Sequence, residues 1–172
     1  MARPPGWRRS PFRVELQGLY AETDALLEGW ECACTKGLSH TAPCCDFGVI
    51  GREPYPTAVE LEEVRHAVLA GGLRARGRRR LPLAGNSPCP LLSDAGRCLI
   101  YASRPFGCRT FFCLEAHGPC GSRPRVPREA INALGRRIAD LSARLAPKDP
   151  AARPFRRALV RLACEKHSKP PR

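Results

Sequence analysis

Ten cysteines in a chain of 172 residues constrain this sequence more than any other feature. Nine fall in two groups: Cys32, Cys34, Cys44 and Cys45, then Cys89, Cys98, Cys108, Cys113 and Cys120. Cys164 stands alone near the end, where a small buried hydrophobe is the expected role. The groups occupy stretches such as "ECACTKGLSHTAPCCDFG" and "LPLAGNSPCPLL", whose Gly, Pro, Ser and Thr argue for loops. A chain that brings two such loops together needs folding energy they lack by themselves, and a bound metal supplies it.

The redox compartment decides between metal and disulfide. The N-terminal "MARPPGWRRSPFRVELQGLY" is basic, but no apolar stretch of about seven residues follows it, which speaks against a secretory signal. No apolar run of about eighteen residues occurs either, so no membrane span or membrane partner is expected. The expectation is a cytoplasmic chain whose clustered thiols hold metal. Disulfides are the competing explanation.

The hydropathy pattern places helices around the cysteine groups. Leu16, Leu19, Tyr20, Thr23, Leu26 and Leu27 recur at three- and four-residue intervals and predict a helix from about Val14 to Gly29. In "YPTAVELEEVRHAVLAGGL", Thr57 and Glu60 form a capping box, Leu61, Val64 and Val68 share a face, and Gly71 and Gly72 end the helix. A third helix carries the seam Ile131, Leu134, Ile138, Leu141 and Leu145, read as core packing in preference to a dimer surface. Pro147 and Pro150 break it before a shorter helix around Phe155, Leu159 and Leu162. "CLIY" is a candidate strand. The predicted fold is mainly α, about four helices packed around an irregular cysteine-rich core with little strand. It forms one domain over residues 13–165, between a disordered basic leader (1–12) and a basic tail (166–172).

The spacing matches neither a pair of CxxC zinc knuckles nor a ferredoxin run. The residues do resemble a family. "CC" followed by a Thr-x-x-Glu helix, then "CPLL", "CLIYASRP" and "CRTFFC", is similar to the bacterial cysteine-cluster proteins described as a zinc- or iron-chelating domain (the CxxCxxCC, or YkgJ-type, family). The resemblance covers roughly residues 30–115 and is most specific in its second half. It implies a zinc ion or an iron–sulfur cluster held by Cys44, Cys45, Cys89, Cys98, Cys108 and Cys113, with Tyr101, Arg104, Pro105 and Arg109 supporting. The first half departs from the pattern: Cys32-x-Cys34 and a nine-residue gap stand where the family has CxxC just before the pair. Counting Cys32 and Cys34 gives eight ligands, with Cys120 as an alternative; His117 is read as a surface loop histidine in preference to a ligand.

"CLIYASRPFGCRTFFC" mixes sulfur, aromatics and two arginines, and a metal site accounts for the mixture. Clustered thiolates are strongly negative, and a nearby guanidinium favours the thiolate form. Arg104 and Arg109 are therefore expected beside the site, donating to sulfur, while Ile100, Tyr101, Phe106, Phe111 and Phe112 exclude water.

The net charge of +13 admits other readings. Four thiolates around a divalent metal, or around an oxidised four-iron cluster, sum to about −2. One site would thus lower the total to about +11 and two to about +9. A nucleic-acid binder with a structural zinc is the alternative, using the "RARGRRR" run at residues 74–80. Aromatic interleaving is missing from that run, and such runs are more often solvated. A thiol enzyme ranks below both, because no Cys–His pairing stands out. Related domains occur in flagellin lysine methylases, so the resemblance also suggests a redox role or a role accessory to protein modification, with a protein partner. The chain has no glycine-rich fingerprint that would bind a methyl donor by itself.

Overall fold

The computed structural model describes residues 6–28, 45, 47, 53–71, 89–93, 95–110, 127–155 and 157–159. Among these the chain is mainly helical, with no strand. Helix α1 spans Pro11–Leu26, α2 Ala58–Ala70, the single turn α3 Phe106–Arg109, and α4 Arg128–Leu145. Short 3-10 turns cover Trp7–Arg9 and Tyr101–Ser103.

Helix α1 starts three residues before the predicted Val14, and the chain in front of it is ordered. Pro11 occupies the first turn, where its missing N–H costs nothing and its fixed φ suits a helix. Trp7 is buried, and its indole Nε1–H donates to Glu63 at 3.0 Å. Residues 6–12 of the expected 1–12 leader thus join the folded body through Trp7, while residues 1–5 lie outside the described residues. A buried tryptophan outweighs the basic, Pro-rich composition around it. The helix stops at Leu26, where the Leu27 N–H reaches the Thr23 and Asp24 carbonyls.

Helix α2 follows its sequence signals closely. The Thr57 backbone N–H donates to Glu60 at 2.8 Å and the Thr57 hydroxyl to the same carboxylate at 2.9 Å. Ala70 is the last helical residue and Gly71 caps the end. On α4 the predicted seam faces inward: Leu134, Ile138 and Leu141 are buried, with Leu145 packed at the edge.

Helices α1, α2 and α4 pack pairwise around a first apolar core of Trp7, Leu16, Leu19, Tyr20, Val59, Leu134, Ile138 and Leu141. Ser142 fastens its rim, accepting from the Val59 N–H at 3.3 Å and donating to the Pro150 carbonyl at 3.2 Å. The chain after α4 then runs back along residues 54–56. Arg153 N–H donates to the Pro56 carbonyl and Phe155 N–H to the Pro54 carbonyl, both at 3.1 Å. This return carries Phe155 and Leu159 into a second apolar core, with Phe47, Val64, Val68, Cys89, Leu91 and Ile100.

Helix α2 serves both cores. At about 100° per residue, Val59, Glu63 and Glu60 lie at one side of its buried arc, and Val64, Val68 and Leu61 at the other. The "CLIY" segment is not a strand. Leu92 and Cys98 form one antiparallel bridge around a tight turn, in which Gly96 takes the left-handed conformation that glycine accepts without strain. Tyr101 then enters the 3-10 turn instead of extending the pairing.

Candidate metal centre

Four of the eight predicted ligands, Cys45, Cys89, Cys98 and Cys108, are among the described residues. Cys32, Cys34, Cys44 and Cys113 lie outside them, as do Cys120, Cys164, His40, His117 and the 74–80 arginine run.

The two cysteine groups meet. The Cys89 backbone N–H donates to the Cys45 carbonyl at 2.6 Å, joining loops 44 positions apart. Cys89 is buried in the second core, and Cys45 and Cys98 pack against that core, half-buried. The local backbone sets this up. Leu92 N–H returns to the Cys89 carbonyl at 2.9 Å, and Leu99 N–H reaches the Leu91 carbonyl at 2.9 Å across the turn. Side chains of Leu91 and Ile100 thereby enter the core beside Cys89 and Cys98. Cys108 lies on α3, outside that cluster. No disulfide joins any two of these four cysteines. Among the described residues no three Cys, His, Asp or Glu side chains converge as a metal-holding group.

The segment from Cys98 to Cys108 is fixed by carboxylates on α1 and α2. Glu63, fully buried, accepts from Trp7 Nε1, from Arg13 Nε at 2.7 Å and Nη2 at 3.1 Å, and from Ser103 Oγ at 2.9 Å. Burial pushes its carboxyl up, but these donors, Arg13 foremost, hold it below the usual carboxylate range. Glu60 accepts from Thr57, from the Tyr20 hydroxyl at 3.3 Å and from the Phe106 N–H at 2.6 Å. Among the described residues no guanidinium bonds to Glu60, and burial raises its carboxyl against those hydrogen bonds. The Tyr20 phenol is raised well above its ordinary value by burial and then by Glu60, with Arg109 opposing. Glycines permit two close approaches to α3. A side-chain carbon on Gly135 would stand 3.2 Å from the Phe106 ring, and one on Gly107 would stand 3.3 Å from Pro54.

Arg109, Arg104 and Tyr101 have clear partners. Arg109 is buried; its guanidinium donates to Asp24, to the Arg104 carbonyl at 3.0 Å and to the Ala102 carbonyl, and lies 4.0 Å over the Tyr20 ring. Arg104 pairs with Asp24 at 3.5 Å, donates to the Tyr101 carbonyl at 2.9 Å and stacks 3.9 Å over the Tyr101 ring, which is half exposed. Their observed contacts tie the "SRPFGCR" segment to itself and to α1 instead of reaching the described sulfurs.

Sequence reasoning passed over Trp7, Arg13, Tyr20, Asp24, Glu60 and Glu63 as a unit. A signal existed: Glu60 and Glu63 fall on the same helical arc as Val59 and Val64, where a solvated glutamate has no place.

Charge is unevenly spread. Of the 29 Lys+Arg, 14 fall among the described residues, against 11 of the 16 Asp+Glu, so most of the positive excess belongs to stretches outside the described body. No helix among the described residues is long and apolar enough to cross a membrane. Comparison with protein-family models, with curated proteins and with solved structures finds no match for this chain.

Proposed function

We propose that this chain is a metal-binding cysteine-cluster protein, holding zinc or an iron–sulfur cluster through thiolates of Cys32, Cys34, Cys44, Cys45, Cys89, Cys98, Cys108 and Cys113. The observation that carries the reading is the meeting of the two cysteine groups at the Cys45–Cys89 backbone hydrogen bond, with Cys98 in the same apolar cluster. A chain using its cysteines only as small hydrophobes has no need to draw them from two distant loops. The resemblance of residues 30–115 to the zinc- or iron-chelating family supports the same assignment and leaves the choice of metal open.

Zinc would cross-link the loops, and an iron–sulfur cluster would add electron transfer or redox sensing. The protein's own residues have separate tasks. Leu91, Ile100 and Phe155 keep water from Cys89, and the α2 face formed by Val64 and Val68 is the floor on which the sulfur-bearing loops rest. The carboxylate network holds the segment between Cys98 and Cys108. With sulfur occupied in this way, the role is redox or accessory to protein modification in the cytoplasm, beside a protein partner.

Serine variants test the ligand set. Cys89→Ser, Cys98→Ser, Cys108→Ser and Cys113→Ser are each expected to lower the metal bound per chain, whereas Cys164→Ser retains the wild-type amount. Full metal content and unchanged thermal stability in the first four would refute the assignment. Salt-sensitive retention of metal-replete protein on DNA or RNA would favour the nucleic-acid alternative instead.

A further inference from the structure

Two glutamates three residues apart on α2 are buried, yet neither is a ligand candidate and no reaction needs them. Their hydrogen bonds explain the burial. Each carboxylate divides its acceptors between the helical body and the segment that carries the second cysteine group. Glu60 holds Thr57 with one oxygen, and accepts the Phe106 N–H, two residues before Cys108, with the other. Glu63 holds Trp7 and Arg13, and accepts the Ser103 hydroxyl midway between Cys98 and Cys108. The same helix contributes Val64 and Val68 to the core where Cys45, Cys89 and Cys98 gather. It is therefore a common reference for both cysteine groups.

We propose that Glu60 and Glu63 are positioning residues for the metal centre. By seating the Phe106 amide and the Ser103 hydroxyl, they set where Cys98 and Cys108 stand relative to Cys45 and Cys89. This rests on the metal-binding reading above. A carboxylate suits the task because it accepts several hydrogen bonds at once, and charge-assisted bonds hold geometry more firmly than neutral ones. Loss of outer partners that orient metal ligands commonly weakens metal binding by about 10- to 100-fold. An interaction serving the fold alone changes stability and leaves affinity intact.

Four variants of the full chain separate these roles. Glu60→Gln and Ser103→Ala cut the seating of the cysteine segment. Thr57→Ala and Arg13→Ala cut the opposite halves of the same two networks and leave the seating acceptors in place. Each protein is prepared metal-free and titrated with Zn2+ against a chromophoric chelator, well below its melting temperature. The alkylation rate of Cys108 is measured in parallel by peptide mass spectrometry. Glu60→Gln and Ser103→Ala are expected to weaken Zn2+ binding about tenfold and to change the Cys108 rate. Thr57→Ala and Arg13→Ala are expected to lower the melting temperature while affinity stays within about threefold of wild type, a smaller change than loss of a ligand-orienting partner. If affinity simply follows melting temperature across all four, the positioning role is overturned and the metal-binding reading stands. A wild-type chain that takes up no Zn2+ and, purified anaerobically, carries no iron or acid-labile sulfide overturns both.

Discussion

The core around Leu16, Ile138 and Leu141 is closed by three helices of 13 to 18 residues, whereas the core around Cys89, Leu91 and Phe155 is closed by one face of α2, the helical residues 155 and 157–159, and short irregular segments. In the first, backbone groups are satisfied within the helices and side chains need only interdigitate. In the second, backbone pairing comes piecemeal: Cys89 to Cys45, Leu99 to Leu91, Phe155 to Pro54. Fixing such segments costs conformational entropy with little regular hydrogen bonding in return. The contrast indicates where the proposed metal would matter. The helical core has the makings of independent stability, and the cysteine core would gain most from the proposed cross-link.

Metal removal tests the contrast with the largest effect. At metal concentrations about 1,000-fold above the dissociation constant, binding stabilises the native state by roughly 4 kcal/mol. Chelation should therefore strip hydrogen-exchange protection from the amides of Cys89, Leu92 and Leu99, while those in α1 and α4 stay protected. Equal loss in both regions would mean that the two cores unfold as one. A smaller effect is expected from truncation on the opposite side. Leu141→Ala, in a fully buried position of the first core, should cost about 3 kcal/mol by denaturant unfolding and leave Zn2+ affinity at its wild-type value.

The two glutamates provide the finest test, because they join the regions and titrate in opposite senses. Glu63→Gln should cost about 2 kcal/mol at neutral pH, through loss of hydrogen bonds to a charged acceptor. The Glu63 carboxyl is held below its usual range in the fold, so its stabilisation is complete above the unfolded value of about 4.3 and is lost as pH falls through the lower folded value. Glu60 is raised, so its ionised form opposes folding at neutral pH, and that cost is relieved as pH falls through the raised value toward about 4.3. Melting curves of metal-free protein should show a shallower acid-side decline for Glu63→Gln and a steeper one for Glu60→Gln. Identical pH profiles for both variants would contradict the assigned environments.

What the sequence disclosed divides along the same line. The capping box at Thr57 and Glu60, the stop at Gly71 and the inward seam of α4 were legible, because local hydrogen bonding and a 3.6-residue period leave a direct imprint on residue order. The burial of Trp7 was not, since its partner Glu63 is 56 positions away and the surrounding Pro and Arg read as solvated. Arg109 shows how far sequence proximity and spatial contact can diverge. Its nearness to cysteine in the sequence suggested sulfur, whereas in space it faces Asp24 and the Tyr20 ring, which no spacing rule connects to it. The backbone hydrogen bond from Cys89 to Cys45 joins loops 44 positions apart, a pairing that no local pattern in the sequence specifies.

The most direct test of a common metal centre is anaerobic purification of the full chain, followed by a UV–visible spectrum with iron, sulfide and zinc quantified per chain. A common metal centre predicts either a brown protein containing iron and acid-labile sulfide, or a colourless one carrying zinc in fixed proportion. Protein without metal or sulfide, with its cysteines all titrating as accessible thiols or joined in disulfides, would contradict it.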